Sequence, residues 1–537
     1  MAGAGVYLKH NIVAEPLFNQ WHAWSYLIPP APASVFIANS HLKMMRSFVS
    51  APEVHVAALK NPAMLGGAFI NYPASKVPEI KELMNRTTDE CASMLELAEA
   101  IKTLDTMVQA QAMGSSLEPL YREVPALLRG YVELIYDINN QPAVRFIEGL
   151  LYHSRFYRPD LQSIALFADH GERPFAFNTP KLPDEQTLLL WKPFTSTDLD
   201  ELFITKYKPR PFGEIREMLG GSDKDVPLLS SFFTTEPEPA GARYEGTGVR
   251  IRYFGHACIL IESRRVNVLL DPVISYKSNG GIERYTYADL PDRIDYALIT
   301  HTHQDHCMLE SLLQLRHKIG TVVVPRSNGG SLVDPSVKLM LRQIGFNDVR
   351  ELDELEMIEE DGGYILGVPF LGEHGDLNIR TKTAYLVKLE NRSVLCMADS
   401  NNLEPRLYEH VHELVGDLDV VFLGMECDGA PLSWVYGPLL NKPLARKLDQ
   451  SRRLDGSNCE KGLHLMNSLK PQQVYVYAMG QEPWLTYLTN IHYTDESRPI
   501  VESNNLVKDC LARGRVSERL FGCKEILLEP VTAFAKA

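Results

Sequence analysis

The sequence predicts an α/β fold: two stacked sheets flanked by helices in the C-terminal part, preceded by a mixed α+β domain. Three observations carry that expectation. The 537 residues exceed what one hydrophobic core usually supports, so two or more domains are expected. From Val249 onward short apolar runs recur, among them "VRIRYFGHACILIE", "RVNVLLDPVI", "YALIT", "TVVVP", "YILGVPF", "TAYLVKL", "SVLCMAD", "VVFLGME" and "QVYVYAMG". Interleaved with the helical stretches "LESLLQLRHK", "SVKLMLRQIG" and "LYEHVHELVG", they read as strands of two layered sheets. Finally, "TTEPEPAGARYEGTG", residues 234–248, gathers Pro, Gly and Glu while apolar periodicity stops, the composition of a linker. The division expected is a front domain 1–235, a linker 236–248 and a second domain 249–537.

In the front domain, "TTDECASMLELAEAIKTLDTM" predicts a helix. Thr87 and Glu90 have the spacing of a capping box, and Met94, Leu97, Ile101 and Leu104 share one face. A second helix is expected after Ser115 and Glu118 through "PLYREVPALLRGYVELIYDI". "TLLLWKPF" and "DELFITKY" are short and strand-like.

Composition excludes several classes of function. Hydrophobic residues make up 45% of the chain, an ordinary globular value, and no run approaches the ~20 apolar residues of a membrane span. "MAGAGVYLKHNIVAEPL" lacks the charged start, apolar middle and small-residue cleavage site of a secretory signal, so a cytoplasmic enzyme is expected. The eight cysteines form no CxxC pair and read as reduced thiols. A net charge of −14 argues against nonspecific nucleic-acid binding, which relies on positive charge.

The densest chemistry lies in "YALITHTHQDHCMLE". A strand ending at Thr300 delivers His301, His303, Asp305 and His306 into one turn. His301 and His303 share a face and suit one ion, while Asp305 and His306 reach a second.

HxHxDH after an apolar strand, with "GHACILIE" and "LLDP" before it, resembles the metallo-β-lactamase superfamily over roughly residues 249–530. That resemblance implies an αββα sandwich with a binuclear site at one edge, Asp271 supporting the site and Asp399 of "VLCMADS" bridging the ions. Two departures separate this chain from the zinc hydrolases of that fold. Where a third histidine is expected, "VPFLGEHGD" offers Glu373 first and His374 next. The last histidine, expected after "QVYVYAMGQEPW", is missing, and Gln481 and Glu482 stand nearby. The shell becomes His301, His303 and Glu373 on one ion, Asp305 and His306 on the other, and Asp399 between them. Two histidines with one carboxylate and open positions is an arrangement iron uses with dioxygen; zinc also accepts carboxylates, so donor type alone leaves a zinc hydrolase open.

The phrase "EPLFNQWHAWSYLIPP", the long front domain, Glu373 and "APLSWVYGPL" together resemble the diiron β-hydroxylases of nonribosomal peptide biosynthesis over nearly the full length. The resemblance implies two Fe ions held by His301, His303, Asp305, His306, Glu373 and Asp399, with Glu373 and Asp399 the residues most closely tied to catalysis. It implies O2 and external electrons as co-substrates, an aminoacyl carrier domain of a nonribosomal peptide synthetase and an electron donor as partners, and a homodimer. The reaction implied is hydroxylation of the β-carbon of a carrier-tethered amino acid. The front aromatics "LFNQWHAWSYLIPP" either cover the second domain or form a dimer face. His256 of "FGHAC" is placed beside the cluster or in a structural role, His374 is an alternative ligand, and His464 and His492 are surface or core residues. Trp434 and Tyr436 either line a substrate pocket or pack. Lys442, Arg446, Lys447, Arg452 and Arg453 of "NKPLARKLDQSRRLDG" form a cationic patch suited to an acidic carrier.

Overall fold

The computed structural model describes residues 5–530 apart from 62–63, 65, 172, 221 and 279–280; the outer ends of the two expected domains, 1–4 and 531–537, lie outside the described residues. The apolar runs after Val249 form two seven-stranded sheets. In the first, the spatial order is Val349–Leu352, Ile319–Pro325, Ile294–Leu298, Asn267–Leu270, Ile259–Glu262, Val249–Tyr253 and Lys524–Leu528. Its first four strands are parallel and the rest antiparallel. The second runs Met357–Glu360, Gly363–Val368, Ala384–Leu389, Arg392–Cys396, Val420–Gly424, Gln473–Tyr477 and Val516–Arg519, antiparallel first and parallel afterwards.

The sheets meet through Ile251, Ile259, Leu298 and Val323 on one side and Val387, Cys396, Phe422 and Tyr475 on the other. Central strands such as Val420–Gly424 read as apolar runs because the far faces are covered too. Helices Pro405–Val415, Cys459–Leu469 and Arg498–Ala512 cover the second sheet. Helices Leu309–Leu315 and Val337–Gln343 cover the first, completing the expected αββα sandwich.

The front residues do not form a separate core. Phe18, Trp21, Tyr26, Phe36, Leu199 and Phe203 share one apolar cluster with Leu309, Leu312, Met340, Leu432 and Tyr436. Within the front half, an antiparallel sheet orders Trp21–His22, Ile12–Phe18, Gln162–Ala168 and Leu188–Leu190. Trp21, Trp24 and Tyr26 are buried within the chain. Residues 236–248 contain no helix or strand. All eight cysteines are free thiols, six of them buried.

Three expectations for the front half are corrected. Thr87 is not a helix cap: the helix begins ten residues earlier, spanning Val77–Glu90 with Pro78 in its first turn, and a second helix follows over Ala92–Gln111. The Thr87 hydroxyl instead donates to Leu83 O at 2.7 Å and accepts from Asn19 Nδ2 at 3.0 Å. Met94, Leu97, Ile101 and Leu104 are buried on one face as expected. The helix predicted after Ser115 is absent. Pro125 and Gly130, the latter at φ 82°, break it into two short 3-10 turns and a hairpin of Val132–Tyr136 with Pro142–Phe146. "DELFITKY" lies largely in helix Thr197–Ile204, because Ser196 caps it through Asp198 N and Leu199, Leu202 and Phe203 fall on one helical face.

Candidate metal centre

The ligand residues leave the strands at one edge of the sandwich. Strand Ile294–Leu298 carries His301, His303, Asp305 and His306 just beyond its end; Glu373 lies in the turn after Gly363–Val368, and Asp399 follows Arg392–Cys396. The turns holding the site are strained. His256 (φ 51°), Asp271 (38°), Glu373 (67°) and Ala398 (44°) all adopt the left-handed conformation without being glycine. Each costs on the order of 1 kcal/mol or more, and such strain gathers where function requires it.

Three groups of donor atoms converge. His301, His303 and Glu373 form one; His301, His306 and Asp399 another; His256, Asp305 and His306 the third. Within them His303 Nδ1 lies 2.8 Å from Glu373 Oε1, His306 Nε2 3.1 Å from Asp399 Oδ2, and His256 Nε2 3.1 Å from Asp305 Oδ2. Two donors bound at ~2.1 Å and at right angles to one ion lie about 3 Å apart, so these spacings fit shared cations. Asp399 Oδ2 also lies 3.9 Å from His301 Nε2, facing both halves of the site.

Electrostatics point the same way. His301 Nε2 and Asp399 Oδ1 are buried without a hydrogen-bond partner, a rare and costly condition that a cation relieves. Burial and the neighbouring imidazoles of His306, His303, His374 and His256 hold His301 well below the ordinary histidine range, so it is neutral and its lone pair is available. Burial raises the Asp305 carboxyl, but His306 and His256 outweigh it and keep the group ionised. Burial, then Asp399 and Asp305, push the Glu373 carboxyl well above its usual range. Carboxylates crowded in this way need positive charge between them.

Outside the donors, Asp271 accepts from Thr300 N at 2.7 Å and from Thr300 Oγ1 at 2.6 Å, and its Oδ2 lies 2.8 Å from His306 Nδ1. It thereby aims His306 Nε2 inward, the supporting role expected of it. The Glu373 turn is tied down by Arg452 Nε, which donates to Gly375 O at 2.8 Å, and by Lys382 Nζ, which donates to Gly372 O at 2.9 Å. His256 offers a third donor beside Asp305 and His306. Glu482 joins none of the groups among the described residues. Glu482 Oε1 instead accepts from Tyr253 OH and, at 3.2 Å, from His256 N. His374 turns its Nδ1 to Tyr436 OH at 2.7 Å, and His464 and His492 are exposed.

A cavity of about 760 Å³ lies against this edge, lined by Trp24, Phe36, Met44, Phe177, Trp434 and Gln304 of the ligand loop, with Lys43 and Lys102 also in its wall. The front domain builds much of that wall. Ser25 Oγ donates to Thr302 O inside the HTHQDH loop at 2.7 Å. Sequence reasoning missed the parts played by Thr300, Arg452 and Lys382, because their signal is contact with residues distant in sequence.

Over 525 residues, 96% of this chain and 98% of the relative, the sequence is 40% identical to the 4-amino-L-phenylalanyl-[CmlP-peptidyl-carrier-protein] 3-hydroxylase of Streptomyces venezuelae. The chain belongs to the diiron non-haem β-hydroxylases. Residues 7–237 match the N-terminal domain of this family and residues 250–435 match a β-lactamase superfamily domain. The crystal structure of CmlA, a diiron β-hydroxylase from Streptomyces venezuelae, superposes with a TM-score of 0.92 at 38% identity, covering 98% of this chain and 100% of that one. A CmlA variant with one glutamate changed to aspartate superposes with a TM-score of 0.90 over 97% of this chain. The diiron β-hydroxylase fold is thus present along the whole chain, and the His, Asp and Glu groups supply donors suited to its two irons.

Proposed function

We propose that this chain is an O2-dependent non-haem diiron monooxygenase that hydroxylates the β-carbon of an amino acid tethered as a phosphopantetheine thioester to a carrier domain of a nonribosomal peptide synthetase. The observation that carries this reading is the donor set. Glu373 stands 2.8 Å from His303 Nδ1 while the neighbouring imidazole of His374 is engaged by Tyr436. A carboxylate therefore occupies the position where zinc hydrolases of this fold, by the resemblance drawn from sequence, carry histidine. Carboxylate donors lower the net charge of a metal pair and favour its oxidised states, an advantage to redox chemistry and none to zinc hydrolysis.

His301, His303, Asp305, His306, Glu373 and Asp399 would hold two irons, which would supply activation of dioxygen; with two external electrons and two protons the substrate C–H would become C–OH and the second oxygen atom water. The protein supplies the rest. Asp271 and Thr300 fix the imidazole of His306, and Arg452 and Lys382 hold the turn that presents Glu373. The apolar part of the cavity wall, Trp24, Phe36, Met44, Phe177 and Trp434, suits an aliphatic or aromatic aminoacyl side chain. Tethering raises the local concentration of the amino acid and restricts its approach to the mouth of the cavity.

In the same reading residues 1–235 are a front domain joined through 236–248 to a catalytic domain 249–537, the electrons come from a separate donor, and the enzyme works in the cytoplasm as a homodimer. Among the described residues no helix is long and apolar enough to cross a membrane. The test is the intact mass of an aminoacyl-loaded carrier after incubation with iron-reconstituted, reduced enzyme and air. A gain of one oxygen atom on the carrier, with free amino acid unchanged, is expected. Release of the aminoacyl group by the zinc-loaded protein, without oxygen gain by the iron form, contradicts the reading.

A further inference from the structure

Tyr436 is fully buried at the end of helix Leu432–Tyr436, and its hydroxyl stands between two imidazoles. It lies 2.8 Å from His303 Nε2 and 2.7 Å from His374 Nδ1. The Tyr26 hydroxyl is alongside, with its own proton directed to Val333 O at 2.7 Å. A phenol has one proton to give, so it cannot donate to both rings. His303 decides the direction. Its Nδ1 faces Glu373 in the first donor group, and a neutral imidazole that offers Nδ1 to a cation must carry its proton on Nε2.

We infer that Tyr436 is a positioning residue for the metal centre: its hydroxyl oxygen accepts the proton of His303 Nε2, with His374 Nδ1 and the Tyr26 hydroxyl as its other partners. His303 is locked in the tautomer that presents Nδ1 to the first ion, at a fixed ring orientation. His374 Nδ1 is turned to the same hydroxyl, while Glu373 meets His303 Nδ1 in the first donor group. The same helical turn reaches the substrate side, since Trp434 and Val435 line the 760 Å³ cavity. Adjacent residues thus join the cavity wall to a metal ligand.

This inference rests on the ligand assignment above, and its test reads metal binding without turnover. The full chain is loaded with cobalt(II), whose visible absorption reports ligand geometry, and loss of the metal to a chelator is timed. Tyr436→Phe is expected to keep the circular dichroism of the wild type, shift the cobalt absorption and release metal about tenfold to a hundredfold faster. An unchanged spectrum and release rate in folded Tyr436→Phe overturns the inference. His374→Ala keeps the acceptor for His303, so it is expected to bind two cobalt ions with wild-type absorption maxima. Loss of one ion in His374→Ala makes His374 a ligand and also overturns it, even where Tyr436→Phe fails to fold. Because none of these readouts involves oxygen insertion, a chain that behaves as expected here yet hydroxylates nothing contradicts only the proposed function.

Discussion

Asp271 shows how much of the centre depends on side chains that touch no ion. Its carboxylate is 1% exposed and joins His306 Nδ1 to Thr300, so the ring cannot turn its Nε2 away from Asp399. Asp271→Asn keeps the shape and removes the charge. Metal affinity is expected to fall about tenfold to a hundredfold, with one ion lost first; competition against a graded series of chelators measures it, and two ions held at wild-type affinity count against the role. At this scale the sequence was informative. HxHxDH stood out through its spacing and the strand that precedes it, while Glu373, Asp271 and Asp399 came from the family resemblance. Tyr436 did not, since nothing local separates a tyrosine that holds an imidazole from one that packs. Arg452 and Arg453 misled for a related reason. They read as free cations, yet Arg452 holds the Glu373 turn through Gly375 O and Arg453 pairs with Asp428 at 3.3 Å.

Among the elements, those buried on both faces were legible and the partly exposed front half was not. Strand Val420–Gly424 is an unbroken apolar run, and Ile259–Glu262 is apolar up to its last residue, a pattern that survives without an alignment. Thr87 and Glu90 imitated a capping box because the real helix start, at Val77, has no side-chain cap of its own. Glu148 gives a testable contact between elements. It opens helix Glu148–Tyr152, and its Oε2 accepts at 2.9 Å from Ser336 N, the cap of helix Val337–Gln343. Burial, with Asp334 nearby, pushes its carboxyl up to about 7. Between about 4.5, the ordinary carboxylate value, and 7 the unfolded chain has released a proton that the folded chain retains, so this group's contribution to stability is full below that window and is lost as pH rises through it. Glu148→Gln keeps the acceptor and removes the proton, so the decline of Tm with rising pH across that window is expected to flatten. An equally steep decline in the variant sinks the assignment.

The whole molecule is acidic, yet the mouth of the cavity is not. Lys43 and Lys102 stand in its wall together with Asn441 and Leu444, and the exposed Lys442, Arg446 and Lys447 continue the positive surface. Glu99 and Asp449 are engaged there, Glu99 with Lys102 at 4.0 Å and Asp449 with Ser433. Lys43, Arg446 and Lys447 are exposed there. A phosphopantetheine arm carries a phosphodiester, and an acidic carrier adds to it, so we propose this rim as the face that meets a carrier. Reversing Lys442, Arg446 and Lys447 to glutamate is expected to weaken carrier binding about tenfold or more at low salt and progressively less as salt screens the contact. Equal affinity at all salt concentrations removes the rim from the docking face. Such a surface is invisible in the net charge of −14; it emerges only when the front domain and the sandwich close over one cavity.

Oxygen insertion by the Glu373→His variant, reconstituted with iron and supplied with reductant and aminoacyl carrier, tests the account most directly. Restoring an imidazole at that turn reverses the departure from the zinc hydrolases that the proposed function rests on, so the variant is expected to retain two ions while its oxygen insertion falls by about a hundredfold or more, some 3 kcal/mol of transition-state stabilisation. Wild-type hydroxylation by Glu373→His with two irons bound would contradict it.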